Sequence, residues 1–386
     1  MSDDQSPESP LPDEPPIADQ PTEALPAVDG GEGGDGGGRR LAVPAIVVGV
    51  VIIVAAIIGA FVVINDDGPP PTTTTTLPPT TTSTTEPPPP AALTGVPTED
   101  AAIRDRAALV LKIDNHDQLA RPPAGLLAAD VVYEEQVEGG VTRLAAVFHS
   151  DDAERVGPVR SGRTTDIFLV SNLGRPLFGF SGANPATSAE IARADIWDVR
   201  WDNRVNLYRR DGSRPAPHNL FTDTVALRDS TPDATGPPPS LFEFIDAGTE
   251  LEGDPADVIE VGFGGSGGYR STWTLDAASG TYARDQLGRP HVDEEGEQVH
   301  VSNVVVQVVD YVTRFGNPEA QLLGSGDVWV FRDGVVTQGR WSRSNLGDRT
   351  TFTDLDGGAI LLRPGKTWIA LPPVGRPPVF RAAVAD

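Results

Sequence analysis

Three glutamates, three arginines and one histidine carry most of the chemistry in this sequence. Glu134, Glu135 and Glu138 stand close together, Arg143 follows them, and Arg160 and Arg163 come just after Gly157-Pro158. His218 and Asn219 lie in a Pro217-His218-Asn219 triplet, and Asn115 sits in an Asp114-Asn115-His116-Asp117 cluster upstream. A glutamate or histidine can act as general acid or base, and a guanidinium group binds carboxylate or phosphate through paired N–H donors. Glu134, Glu135 and His218 are therefore the catalytic candidates. Asn115, Glu134, Glu138, Arg143, Arg160, Ser161, Arg163, His218 and Asn219 are the ligand-binding candidates. Each also has a structural reading. The Glu/Arg pairs can be solvated salt bridges, Arg160 and Arg163 can pair with Asp151, Asp152, Glu154 or Asp166 to close a loop, and His218 can make a structural hydrogen bond.

The elements that position these residues follow from apolar spacing. The runs around Val132 and Leu144 are strand formers, and Gly139-Gly140 between them is a hairpin signal because both glycines tolerate positive φ. A two-residue loop there pairs Glu138 with Val141, Gln136 with Arg143 and Glu134 with Ala145. Glu134, Gln136 and Arg143 then share one face, and Glu135, Val137 and Leu144 share the other. Ser161 is the expected N-cap of a helix over Gly162 to Leu173, whose free N–H groups would join Arg160 and Arg163 in an anion site. Leu109 to Ile113 reads as a buried strand, Pro176 to Phe180 as another, and Pro185 to Ala194 as a helix with Asn184 as its cap. Beyond Asp229–Ser240 the pattern is mainly strand, with Asp333-Gly334 marking a second hairpin.

Composition excludes several function classes. There is no cysteine, so disulfides, thiol nucleophiles, iron–sulfur clusters and Cys-ligated zinc are excluded. The formal charge of −25, without an extended basic stripe, argues against nucleic acid as a partner. The Asp114–Asp117 oxygens lack a calcium-loop register, so no metal site is expected. Gly365-Lys366-Thr367 lacks the glycine that a phosphate-binding loop needs five residues before its Gly-Lys pair, where Ile360 stands, and no cofactor is expected.

The N-terminal part predicts a location. Residues 1–40 are acidic and Pro/Gly-rich and are expected to form a disordered cytoplasmic tail. Leu41 to Ile64 carries no charge, and at 1.5 Å per residue it spans roughly 36 Å, enough to cross a lipid bilayer as a single signal-anchor helix. Arg39-Arg40 on one flank and Asp66-Asp67 on the other put the N-terminus in the cytoplasm and the rest outside. Residues 65–97 are expected to be a Pro/Thr-rich extracytoplasmic spacer of roughly 90 Å if fully extended.

The ordered motifs IDNH (113–116), RPPAGL (121–126), ADVVYEEQVEGGVTR (129–143), VGPVRSGR (156–163), PHN (217–219), SNVVVQ (302–307), GRW (339–341) and PGKTWI (364–369) resemble the YerB-like family. This is a group of bacterial extracytoplasmic proteins that share a domain of unknown function. The resemblance covers roughly residues 98 to 375, so it implies a location and a fold and brings no established reaction. Family members typified by that name are lipoproteins held by an N-terminal cysteine, whereas this chain has none and is expected to be anchored otherwise. The expected fold class is α+β: a mixed α/β domain over 98–228, a linker at 229–240 and a mainly antiparallel β domain over 241–386, behind one transmembrane helix. The expected function is a cell-envelope binding or scaffolding module that takes a wall glycan, an anionic polymer or an envelope protein. The alternative is an envelope hydrolase or transferase acting on an anionic glycan, with Glu134 or Glu135 as acid/base and Asp166 as a second carboxylate.

Overall fold

The apolar run LVLKID forms strand β1 (Leu109–Asp114), and the runs VVYEEQ and TRLAAVF form β2 (Val131–Gln136) and β3 (Thr142–Phe148). β3 pairs antiparallel with both β1 and β2. The short strands β4 (Leu177–Gly179) and β5 (Trp197–Asp198) extend this edge in parallel. β1 and β3 are buried at every position and β2 at all but its last, as near-continuous apolar runs predict for strands covered on both faces. The computed structural model describes residues 88–246, 248–264 and 268–383.

The two stretches expected as separate domains share one sheet. β2 pairs in parallel with Thr367–Leu371, which in turn pairs in parallel with Asn303–Gln307. The sheet has eleven strands. Thr351–Asp354, Val335–Arg343, Gly324–Arg332, Asn303–Gln307 and Thr367–Leu371 lead in order to β2, β3, β1, β4 and β5, and Asp254–Pro255 lies against Val335–Arg343. The expected hairpin at Asp333-Gly334 is present, with φ of 51° and 77° at its two turn residues. A second, six-stranded sheet centres on Val258–Gly262, Arg270–Asp276 and Thr281–Gln286.

Cores lie on both faces of the large sheet. On one, Val132, Leu144, Trp368 and Phe331 pack against Ile259, Trp273 and Tyr282 of the smaller sheet. On the other, Val131, Ala145 and Ile369 meet Leu169 and Val170 of α2 (Thr165–Val170; α1 is Ala101–Arg104), Ile191 of α3 (Pro185–Ile191) and Phe242. A fourth helix, α4, spans Thr224–Asp229 and is capped by Asp223. The architecture is thus mixed α/β with few helices and a largely β C-terminal region, an α+β fold.

Three local expectations change. Part of the stretch expected as a spacer belongs to the folded body: Ala91 N–H donates to Val96 O at 2.8 Å, and Leu93 is fully buried. The apolar Ala91-Ala92-Leu93 step explains this, because it has core surface to bury where the Pro/Thr repeat has none. The helix after Ser161 is shorter than Gly162 to Leu173 and starts at Thr165. Within the region expected to be mainly strand, the apolar run Ala359–Leu362 makes only isolated bridges. The expected tail and the Leu41–Ile64 transmembrane segment lie outside the described residues, as does residue 65–87 of the spacer. Among the described residues no helix is long and apolar enough to cross a membrane.

Candidate functional site

The turn between β2 and β3 takes three residues where two were expected. Val137 N–H donates to Val141 O at 2.9 Å around Glu138, Gly139 and Gly140, with φ of 73° and 74° at the glycines. Gln136 therefore stands opposite Thr142, Glu135 opposite Arg143 and Glu134 opposite Leu144. A slip of one residue sends every side chain to the other face. The expected Glu134–Gln136–Arg143 face is thus corrected: Glu134 and Arg143 project from opposite sides of the sheet.

On the side of the smaller sheet, Glu134 is saturated with donors. Arg284 Nη2 reaches its two oxygens at 2.9 and 3.0 Å, Trp368 Nε1 at 3.0 Å, Thr142 Oγ1 at 2.9 Å and Asn115 Nδ2 at 3.2 Å. Arg284 is fully buried and also donates to Gln286 Oε1 at 2.9 Å and His291 Nδ1 at 2.6 Å. Because a guanidinium only donates, His291 accepts through Nδ1; burial, then the charges of Arg121 and Arg284, hold it neutral, well below the usual histidine range. This network ties the two sheets together and leaves Glu134 no uncommitted oxygen.

The opposite face carries the other charges. Lys112 bridges Glu135 and Asp166, the latter at 2.7 Å, with all three side chains fully excluded from solvent. Burial raises the Glu135 carboxyl above its ordinary range, with the Lys112 charge opposing. Asp166 Oδ2 accepts the Arg163 backbone N–H at 2.7 Å. Ser161 therefore does not cap the helix, which starts only at Thr165. Its carbonyl instead accepts from Arg143 at 3.3 Å and Arg163 at 3.4 Å.

The three arginines gather here with unequal partners. Arg160 Nε lies 2.9 Å from Asp114 Oδ2, and Arg163 Nη2 donates to Glu138 at 2.8 Å. Arg143 is buried and has no carboxylate within 4.0 Å among the described residues. Burial, then the charges of Arg163 and Arg160, bring it down to about 10, while Asp114 and Glu138 pull the other way. Arg160 and Glu138 remain partly open to solvent.

His218 closes the cluster. Its Nδ1 is 2.5 Å from Asp114 Oδ2, and its ring centroid is 5.1 Å from that of His116. Asp114 Oδ1 also accepts the His116 backbone N–H at 3.1 Å. A carboxylate beside Nδ1 makes that nitrogen the donor, so the neutral ring presents Nε2 as an acceptor, the form a general base needs. Asn219 turns inward, accepting from Arg210 at 2.7 Å and donating to the carbonyls of Asp211 and Arg214.

The candidates therefore separate into groups. Glu138, Arg143, Arg160, Ser161, Arg163 and His218 collect around Asp114 on one face. Asn115 and Glu134 belong to the network on the other, Glu135 is locked into the Lys112 triad, and Asn219 braces its own loop. Sequence reasoning missed Asp114 as the organiser. Its spacing of two from Lys112 on β1 was the available signal, since it puts both on one face. Arg284 offers no signal in the sequence: TYARDQ does not alternate apolar and polar residues, although burial alternates along the strand it forms.

Comparison with known proteins agrees with this architecture. Residues 93–236 match the protein of unknown function (DUF3048) N-terminal domain, and residues 259–369 match its C-terminal domain. YerB of Bacillus subtilis (strain 168), a protein named as a lipoprotein, is 28% identical over 295 residues, covering 73% of this chain and 86% of that protein. The crystal structure of B. subtilis YerB superposes with a TM-score of 0.65 at 25% identity, over 73% of this chain and 96% of the other. With both domains matched in order, and with the same fold, the chain belongs to the YerB-like (DUF3048) family.

Proposed function

We propose that this chain is a membrane-anchored extracytoplasmic module that binds a phosphate- or carboxylate-bearing envelope glycan at the Arg143–Arg160–Arg163 cluster. The observation that carries this reading is Arg143, a buried guanidinium whose one side-chain hydrogen bond among the described residues is to the Ser161 carbonyl and which faces two further arginines. An isolated buried cation is costly, and an arriving oxyanion offsets that cost while gaining charge-assisted hydrogen bonds. Anchoring through Leu41–Ile64 with the N-terminus in the cytoplasm is supported by the uncharged run and its Arg39-Arg40 flank. The lipoprotein name of the B. subtilis relative supports the same side of the membrane.

A second reading rests on the Asp114–His218 pair. With Nδ1 held by a carboxylate at 2.5 Å, His218 Nε2 can take a proton from a substrate hydroxyl or water held by the arginines, as a hydrolase or transferase requires.

The full chain, purified in detergent, should bind polyphosphate or polygalacturonate beads and ignore neutral dextran. Arg143→Met should lose at least about tenfold in affinity. Equal binding by the variant and the parent would remove the cluster from the proposal. Sizing the glycan after incubation separates the readings: an unchanged polymer supports a binding module, and shortening that disappears in His218→Ala supports an enzyme.

A further inference from the structure

A groove of about 400 Å³ lies where the loop after β1 meets the Thr281–Gln286 and Arg289–Pro290 strands, and its lining shares no residue with the arginine cluster. Arg121 lines it, together with Asp117, Gln286, Pro122, Pro290 and Val292. The volume suits a small organic molecule rather than a polymer.

Arg121 is the unusual group in this wall. Its Nη2 donates to Asn115 Oδ1 at 2.5 Å and to Gln286 Oε1, both neutral amide oxygens. A guanidinium has five N–H donors, so the Nε–H and both Nη1 hydrogens are left without an acceptor among the described residues. Neither atom is a buried, unsatisfied one, so the free donors have access to the groove. No carboxylate lies within 4.0 Å of Arg121 among the described residues. The nearest negative charges are already engaged: Asp117 with the rim residue Arg289, and Glu134 with Arg284. Burial, then the Arg284 charge, bring Arg121 down to about 9, while the charges of Glu134 and Asp117 pull the other way. Asn115 and Gln286 fix the guanidinium in place, and Gln286 is itself held by the Asn115 carbonyl at 3.2 Å. The site is therefore built before any ligand arrives.

We propose that this groove binds a small organic oxyanion, with its carboxylate or phosphate on the free N–H groups of Arg121 and its apolar body against Pro122, Pro290 and Val292. The site is distinct from the Arg143 cluster and does not depend on it.

Arg121 itself provides the readout. Phenylglyoxal condenses with accessible guanidine groups, so Arg121 should be labelled in the full chain, as mapped by peptide mass spectrometry. Benzoate and phenyl phosphate share an apolar body and differ in the head group. At a concentration of twice its Kd, either should slow labelling of Arg121 about threefold by occupancy, while sodium chloride at equal ionic strength should not. Protection by benzoate alone identifies a carboxylate ligand, and protection by phenyl phosphate alone identifies a phosphate. No protection by either, or equal protection by chloride, would overturn the proposal. Arg143→Met should leave the protection intact; its loss in that variant would also overturn the independence claimed for this site. The labelling uses the unaltered protein, so it does not rely on an Arg121 variant that folds.

Discussion

Asp114 and Arg143 stand opposite each other at the last rung of the β1–β3 ladder, on the same face of the sheet, yet form no ion pair. Asp114 gives its carboxylate to His218, at 2.5 Å, and to Arg160, at 2.9 Å. Arg143 is left with a carbonyl.

That arrangement predicts opposite effects for two buried arginines. Arg143→Met should change stability by less than about 1 kcal/mol, or raise it, because the removed charge has no carboxylate partner among the described residues. Arg284→Met should cost about 3–5 kcal/mol, because it strands Glu134 in the core. Urea unfolding of both variants checks this, and a larger loss for Arg143→Met than for Arg284→Met would contradict it.

Lys112 should behave like Arg284. Replacing it with Met leaves Glu135 and Asp166 facing each other without solvent, at a cost of about 3–5 kcal/mol near neutral pH. Since burial already raises the Glu135 carboxyl, its protonation at lower pH should recover part of the loss. Thermal melts of Lys112→Met across acidic pH test the recovery; a penalty independent of pH would show that lost packing accounts for the damage.

Asp130 and His149 should titrate against each other. Asp130 Oδ2 accepts the N–H groups of His149 and Ser150 at 2.7 Å each, and burial pushes its carboxyl up to about 6. Burial, then Arg106, pushes His149 down to about 4. Between pH 4 and 6 the unfolded chain has released the Asp130 proton that the folded chain keeps, so this contribution falls as pH rises. Over the same window the unfolded chain holds a His149 proton that the folded chain has shed, so that contribution rises. Relative to the parent, Asp130→Asn should gain about 2 kcal/mol from the low to the high end of the window, and His149→Gln should lose about as much. Urea midpoints at both ends decide it; slopes of the same sign in the two variants would refute the pairing.

Gly339, in the GRW motif, has a packing reason to be glycine. A Cβ there would sit 1.9 Å from Thr353 O, between paired strands. Gly339→Ala should cost about 1–3 kcal/mol and speed amide exchange in Thr351–Asp354. Unchanged exchange there would mean that the strands accommodate the methyl.

Strand identity was legible in the sequence where apolar runs were long, as at LVLKI and VVYEEQ, and so was the Asp333-Gly334 turn. Register was not. β2 is covered on both faces, so no alternation of apolar and polar residues fixes which side Glu134 takes, and Gly139-Gly140 fits a two-residue and a three-residue loop equally well. The same ambiguity hid the division of the candidate site, because a single step decides whether Arg143 joins Glu134 or Asp114. Arg121 was passed over because a residue before two prolines reads as part of a turn. Its partners, Asn115 and Gln286, lie on segments that meet only in the folded molecule.

The pairing of β2 with Thr367–Leu371 also bears on how the chain is made. Trp368 and Glu134, joined by a hydrogen bond across these strands, are 234 positions apart in sequence. Until residues 367–371 emerge, β2 presents a naked edge of backbone donors and acceptors, and the Glu134 carboxylate lacks its indole. A ribosome stall, or a protease cut in the loop before Thr367, would leave a nearly complete chain able to recruit any passing strand. The PGKTWI segment of this chain thus works as the closing stitch of the sheet.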